Sequence, residues 1–368
     1  MLKLTRLRIY PFLIGANILF FCCYSYSYLS HKAQGDAPHT SHLSAVAGQH
    51  FPATTLLNHG QVATVPRATP PARPRPQSKT TPPELGVVAS QDPKSDYKTL
   101  TRIILDTTGG CGNATSYDAI VTVHTAPAHI QHRNMFRKIY GDFRNTKPYR
   151  LKVVFLLGLV SNQAEDERLK AEAARHHDIV QGNFLDHYHN LTYKAIMGFQ
   201  WLDERCKGLK LLLRLDDDTF VHVQKLIELW ESKHSGESST IMCEAVYNDP
   251  VRRAGRWRVS QAEINATRYR FHHCLGYFAA LSPGLIPRMH AAAKQLQFFW
   301  IDDVFMYGMV PKLLGDVKFD RKSNPWTRNA GLFEDCLEVK GDKCPHLVTI
   351  ANFRKFETFL RYIKEKVG

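Results

Sequence analysis

Read as apolar and polar positions, the 368-residue chain falls into three stretches. Residues 9–30 are largely apolar and uncharged, residues 31–98 show no sustained period, and from near Tyr97 apolar runs alternate with amphipathic segments. Asp118 to Val123 and Lys152 to Gly158 have the length and β-branched or apolar content of buried strands, and Asp178 to Gln181 is a shorter one. A polar helix with Arg133 and Arg137 follows Ala126-Pro127, and a second helix spans Glu165 to His177. Leu191, Ala195, Phe199, Leu202 and Cys206 recur at helical spacing and predict one apolar face. The next strand, Leu211 to Val221, contains three carboxylates in a row, with a helix starting near Val223. Ser239 to Val246 and Gly276 to Leu281 predict further strands. Pro283 opens a helix running to about Leu296, and an amphipathic helix from Asn352 to Val367 closes the chain. Strands and helices alternating at these lengths predict one α/β domain over residues 99–368, a mostly parallel sheet with helices on both faces.

The first 98 residues carry a different message. Residues 9–30 are long enough to span a bilayer, and Lys3, Arg6 and Arg8 predict that residues 1–8 stay cytoplasmic. Such a length exceeds the usual core of a cleaved signal peptide, so the stretch reads as an uncleaved transmembrane anchor. Residues 31–98, rich in Pro, Ala, Thr and Ser, read as an extended stem that supplies reach. Everything beyond is then lumenal. Cys111, Cys206, Cys243, Cys274, Cys336 and Cys344 form an even set compatible with three disulfides, their pairing left open. Sequons at Asn113, Asn190 and Asn265 suit the same compartment. The net charge of +14 would suit anionic partners, but the basic residues are scattered without a Lys/Arg block, which argues against nucleic acid.

Candidate chemistry centres on Asp216, Asp217 and Asp218 at the tip of an apolar strand, where open α/β sheets bind ligands. Alternation along an extended strand predicts that Asp216 and Asp218 share one face. Two carboxylates held together call for a cation, and oxygen ligands favour Mn²⁺ or Mg²⁺; the bland alternative is that they cap the helix that follows. About 85 residues on, Asp302-Asp303 forms a second acidic pair beside aromatics, with Arg256-Trp257-Arg258 between the two. A cation to neutralise a departing diphosphate, a carboxylate to deprotonate an acceptor hydroxyl and aromatic faces for a sugar make an economical glycosyl-transfer site. Gly109-Gly110-Cys111-Gly112 lacks the pattern of a phosphate loop and reads as a turn.

Taken together, the blocks resemble the β-1,3-galactosyltransferase family, the inverting family-31 glycosyltransferases that are type II membrane proteins of the Golgi. Thr125-Ala126-Pro127 with Arg133, Phe136, Arg137 and Gly141 is similar to its first block, although Thr and Trp usually stand where Ile139 and Tyr140 are here. Phe155 to Gly158, Asp178 to Lys194, the triple aspartate, Arg256-Trp257-x-Val259-Ser260, Cys274-x-Gly276-Tyr277 and Asp302-Asp303-Val304-Phe305 follow in the family's order. The resemblance implies a GT-A type Rossmann-like fold, a UDP-sugar donor, a glycan acceptor on glycoprotein or glycolipid, and Mn²⁺. It implies Asp216 and Asp218 as the nucleotide and metal pair with Asp217 beside them, His346 as a late histidine completing the metal site, and Asp303 as the base with Asp302 as its neighbour. Arg133 and Arg137 either meet the nucleotide or form salt bridges on a helix, and Trp257 either contacts the acceptor or anchors its loop. The family's usual Glu is Asp302 here, and the Gly-rich run before Tyr277 is thinned, which bears on donor and acceptor identity. Transfer from UDP-galactose in β-1,3 linkage is the leading expectation; UDP-N-acetylglucosamine as donor, and a catalytically silent lumenal glycan-binding protein, are the alternatives.

Overall fold

The computed structural model describes residues 101–112 and 116–367; the expected tail, anchor and stem, and the Asn113 sequon, lie outside them. Among the described residues no helix is long and apolar enough to cross a membrane.

In chain order the principal elements begin with β1 (Ile103–Asp106), β2 (Ala119–His124), α1 (Ile130–Tyr140), β3 (Leu151–Leu159), α2 (Gln163–His176), β4 (Ile179–Leu185) and α3 (Leu191–Arg205). Next come β5 (Leu212–Asp216), β6 (Thr219–Val221), α4 (Val223–His234), β7 (Thr240–Met242), β8 (Ala245–Pro250), β9 (Arg268–Cys274), β10 (Phe278–Leu281) and α5 (Leu285–Ala293). A broken helix made of Asp302–Val304, a π-wound turn Phe305–Met309 and Val310–Leu314 leads to β11 (Lys318–Asp320), β12 (Trp326–Thr327), α6 (Ala330–Lys340), β13 (Val348–Ile350) and α7 (Phe353–Val367).

The main sheet has eight strands in the order β1-β4-β3-β2-β5-β10-β7-β11. Its centre, β4-β3-β2-β5, is parallel, whereas β1 on β4, β10 on β5 and β7 on β10 are antiparallel. The sheet is therefore mixed rather than mostly parallel. The reason lies in the β8–β9 hairpin, which returns the chain at the carboxyl end of β5, so β10 enters the sheet from that end and runs back down. Strand alternation builds two cores. On β5, Leu213 and Leu215 join one with Phe136 of α1, Trp230 of α4 and Phe359 of α7, while Leu212 joins the other with Trp201 of α3 and Met289 of α5. Helices thus cover both faces, as the periodicity predicts. The single apolar face expected of α3 is too narrow: from Thr192 to Phe199 every residue is buried, because the helix lies between the sheet and α5.

The six described cysteines pair as Cys111–Cys206, Cys243–Cys274 and Cys336–Cys344. Gly109, Gly110 and Gly112 all take positive φ, at 64°, 68° and 55°, so that run is a turn. Cys243–Cys274 ties the end of the β9 return to the β7–β8 junction and closes a separation of 31 residues. Replacing both cysteines with Ala is expected to cost about 3 to 4 kcal/mol by the chain-entropy relation, read as a lower urea midpoint under non-reducing conditions.

Candidate active site

Parallel register sets His124 of β2 beside Asp216 at the carboxyl end of β5. Arg214 and Asp216 share the face of Leu212, on the side of α3 and the broken helix. The strand stops at Asp216. Asp217 and Asp218 form a turn into β6, which leaves the main sheet to pair with β13. The expected common face for Asp216 and Asp218 is therefore corrected, because alternation lapses where the extended backbone ends. Asp216 meets Arg214 Nη1 at 2.9 Å. Asp217 turns instead toward the start of α1, accepting from the Thr125 hydroxyl at 2.6 Å and lying 2.8 Å from His129 Nδ1, while His132 Nδ1 is 2.9 Å from its carbonyl oxygen. Burial raises the Asp218 carboxyl, and the charge of Asp217 adds to the rise.

Across the cleft, Asp302 and Asp303 begin a helical turn rather than an extended segment. Both line the cleft. Asp302 is 8 % exposed and accepts from Arg214 Nη2 at 3.0 Å. Asp303 Oδ1 accepts from the Val304 amide at 2.7 Å, one residue on, while the cap position of this turn is Ile301 and no side chain caps it. Burial and then the neighbouring Asp302 push the Asp303 carboxyl up to about 7. Asp302 is also raised by burial, against the opposing pull of Arg214. Gly276 faces Asp303 directly: a Cβ there would sit 3.1 Å from the Asp303 Cβ, which accounts for a glycine at this point of the Cys274-x-Gly276-Tyr277 block.

The cleft between these groups has a volume of about 400 Å³. Asp216, Asp302 and Asp303 line it together with the aromatics Tyr188, Trp257 and Trp300. Trp257 is no core anchor: it is 50 % exposed, its indole donating to the Tyr188 hydroxyl at 2.6 Å. Arg256 lies 4.0 Å from the centroid of the Tyr188 ring. Tyr188 and Trp300 meet edge-on at 6.2 Å, and aromatic rings at a cleft rim suit the apolar faces of a sugar.

Arg133 and Arg137 are committed elsewhere. Arg133, 1 % exposed, pairs with both oxygens of Glu172 at 2.8 and 2.6 Å and holds the Ala126 and Pro127 carbonyls at 2.7 and 2.9 Å. Arg137 grips Asp178 at 2.7 and 2.9 Å. Of the two readings the structure shows the salt bridges: Arg133 also fixes the loop before α1, and Arg137 ties α1 to Asp178. Lys194 holds the same loop from α3, donating to the Thr125 carbonyl at 2.6 Å. His346 is also corrected. Ile350 pairs with Thr219 and Val348 with Val221, so Ala351 meets Asp218 and His346 lies beyond the opposite end of the ladder. Of the sequons, Asn265 is exposed, whereas Asn190 stands half-buried at the α3 entrance without a side-chain cap, its amide donating to Leu185 O at 2.9 Å.

The implied cation can be tested on this donor set. Ligand atoms of His129, His132 and Asp217 lie within 4.8 Å of one another, the one such group among the described residues. Metal–ligand bonds of about 2.1 Å give neighbouring ligands about 3 Å apart in an octahedron. His129 and His132 Nδ1 stand 2.8 and 3.6 Å from the Asp217 carboxylate, on either side of that spacing. The residues fit a divalent ion that accepts imidazole beside carboxylate, which Mn²⁺ does more readily than Mg²⁺. Arg214, His124, His129 and His132 were not singled out by the sequence reasoning. Arg214 had a signal: it is the one charge inside an apolar run, two residues before Asp216.

A mixed α/β sheet with Asp216 at the carboxyl end of a central strand, facing the Asp302-Asp303 pair across an aromatic-rimmed cleft, defines the class of group-transfer enzymes. The family model described as Galactosyltransferase matches residues 131–325, and the chain belongs to that family. Beta-1,3-galactosyltransferase 5 of Homo sapiens is 30% identical over 188 residues, 51% of this chain and 60% of that protein. N-acetyllactosaminide beta-1,3-N-acetylglucosaminyltransferase 3 of Homo sapiens is 29% identical over 202 residues, 53% of this chain and 54% of its own length. The matches thus span between about half and two thirds of these relatives. A crystal structure of a galactosyltransferase with donor and acceptor sugar analogues aligns at 10% identity over 68% of this chain and 95% of its own, with a TM-score of 0.35, too loose a likeness to argue from.

Proposed function

We propose that the chain is an inverting hexosyltransferase that moves galactose from UDP-galactose to a glycan hydroxyl in β-1,3 linkage. The observation that carries this reading is Asp303, a carboxyl raised to about 7 and lining the same cleft as Asp216. A base in that range is half-ionised near neutral pH and still strong enough to take a hydroxyl proton. Asp303 removes the acceptor proton as the acceptor oxygen bonds to the anomeric carbon. The bond from that carbon to UDP breaks on the opposite face, and UDP leaves with the electron pair, so the configuration inverts. Tyr188, Trp257 and Trp300 hold the acceptor against the base and exclude water. A divalent cation held by His129, His132 and Asp217 would supply positive charge against the diphosphate.

The expected anchor at residues 9–30, with its basic flank, and the three disulfides support a single-pass type II protein of the Golgi membrane with the catalytic domain lumenal. UDP-N-acetylglucosamine is the second reading for the donor, because a β-1,3-N-acetylglucosaminyltransferase is as similar to this chain as a galactosyltransferase is. The full chain in detergent, assayed with Mn²⁺ against a panel of UDP-sugars and glycans on protein and lipid, tests both. Galactose transfer with a β-1,3 product is the expected outcome. Glycan binding without transfer or donor hydrolysis would make the protein a silent glycan binder.

A further inference from the structure

Arg214 is a buried cation that the reaction as drawn does not use. Its residue is 3 % exposed, and it stands between the two acidic walls of the cleft. Nη2 donates to Asp302 Oδ2 at 3.0 Å and lies 2.9 Å from His124 Nδ1. Burial pushes the His124 imidazole well below its ordinary range, with Arg214 and Lys194 adding, so this ring is neutral and its Nδ1 accepts. Nη1 sits 2.9 Å from Asp216 Oδ1 as an ion pair but without hydrogen-bond alignment, and Nε and the buried Tyr307 hydroxyl are without hydrogen-bond partners. The grip on Asp302 is thus the aligned one, and the grip on Asp216 the looser.

We propose that Arg214 is a positioning residue that binds Asp302 across the cleft and holds it in place beside Asp303. The inference rests on the proposed transfer reaction. A guanidinium fork can serve two carboxylates through different nitrogens, which a single ammonium does less well. Asp302 fixed as a carboxylate keeps its neighbour Asp303 basic, because two adjacent buried charges raise each other's proton affinity. Without the cation the pair would share a proton to a higher pH, and the base would be lost in the neutral range. The charged and titratable groups facing the pair are Arg214 and Asp216 of β5, Lys194 of α3, Tyr269 of β9, Tyr188 and Tyr307, with His124 of β2 against Asp302.

The test compares Arg214→Met and Arg214→Lys in the full chain. Arg214→Met is expected to lower kcat about 10²-fold and to move the acidic limb of the kcat profile upward by about one pH unit, while UDP affinity with Mn²⁺, read by calorimetry, changes less than about threefold. Arg214→Lys should bring the limb most of the way back. In an Asp302→Asn background, adding Arg214→Met should move the limb by less than it does alone, because only the direct pull of Arg214 on Asp303 is then lost. A uniform fall in kcat with an unmoved limb would reduce Arg214 to a structural role, and an unchanged kcat would remove it from the mechanism. If Arg214→Met does not fold, Arg214→Gln, polar and uncharged, carries the same comparison. Should the wild-type chain transfer no sugar, that failure belongs to the proposed function; the positioning role is then read from carboxyl ¹³C titration of Asp303, which must move upward in Arg214→Gln or the proposal falls.

Discussion

Asp303→Asn is expected to lower turnover by about 10² to 10⁴-fold while UDP affinity stays nearly constant. Asparagine keeps the shape of the side chain, and Gly276 leaves room for it, but the proton acceptor is gone. Asp302→Asn should cost less, because Asp302 faces Arg214 as well as the cleft. If Asp302→Asn is the dead variant and Asp303→Asn turns over normally, the two roles are reversed. The pH dependence follows from the raised carboxyl. A base must be ionised, so wild-type kcat should rise with pH through about 7 and level off above it. Stability should run the other way. A carboxyl whose folded-state value is raised favours the fold while protonated, so its contribution is complete below the unfolded value of about 4 and is lost as pH climbs through about 7. Asp303→Asn should therefore melt above wild type at pH 8, with the difference closing toward pH 4. Equal melting-temperature differences at both pH values would mean that the carboxyl is not raised.

Withdrawal of divalent cations carries the second large effect. Chelation is expected to lower transfer by more than about 10²-fold, with Mn²⁺ restoring it better than Mg²⁺ because two imidazoles join the carboxylate. A readout free of turnover is Mn²⁺ binding followed by electron paramagnetic resonance. His129→Gln combined with His132→Gln should weaken it at least about tenfold and remove nitrogen couplings from the spectrum. Unaltered Mn²⁺ affinity in that variant and in Asp217→Asn would return the site to Asp216 and Asp218.

Much of the scaffold is legible from local pattern alone. Strand and helix lengths along Asp118 to His177 place β2, α1, β3 and α2 within a few residues, since burial on both faces leaves near-continuous apolar runs, whereas the run Leu211 to Val221 divides into β5 and β6 and Ser239 to Val246 into β7 and the start of β8. β9 is different. Arg268 to Cys274 alternates two arginines and two histidines with aromatics in a hairpin outside the main sheet, and that mixed polarity hides the strand. The triple aspartate is equally visible as a strand tip, but where extension stops is decided by β6 turning away to β13, a partner more than a hundred residues later.

The sequence by itself determined the chemical groups on offer: an acidic strand tip, a second acidic pair, an aromatic segment between them and, apart from these, an even set of six cysteines. Only the tertiary structure decided what each group faces. Arg214 finds Asp302 across 88 residues, His129 finds Asp217 across 88, and Cys111 finds Cys206 across 95. Such pairings leave no trace in local periodicity, because they depend on the sheet order that sets β2 against β5 and on the loop that returns the broken helix over them. Arg133 and His346 make the same point in reverse: residue type suggests a ligand, but burial against Glu172 and the register of β13 assign each to the scaffold.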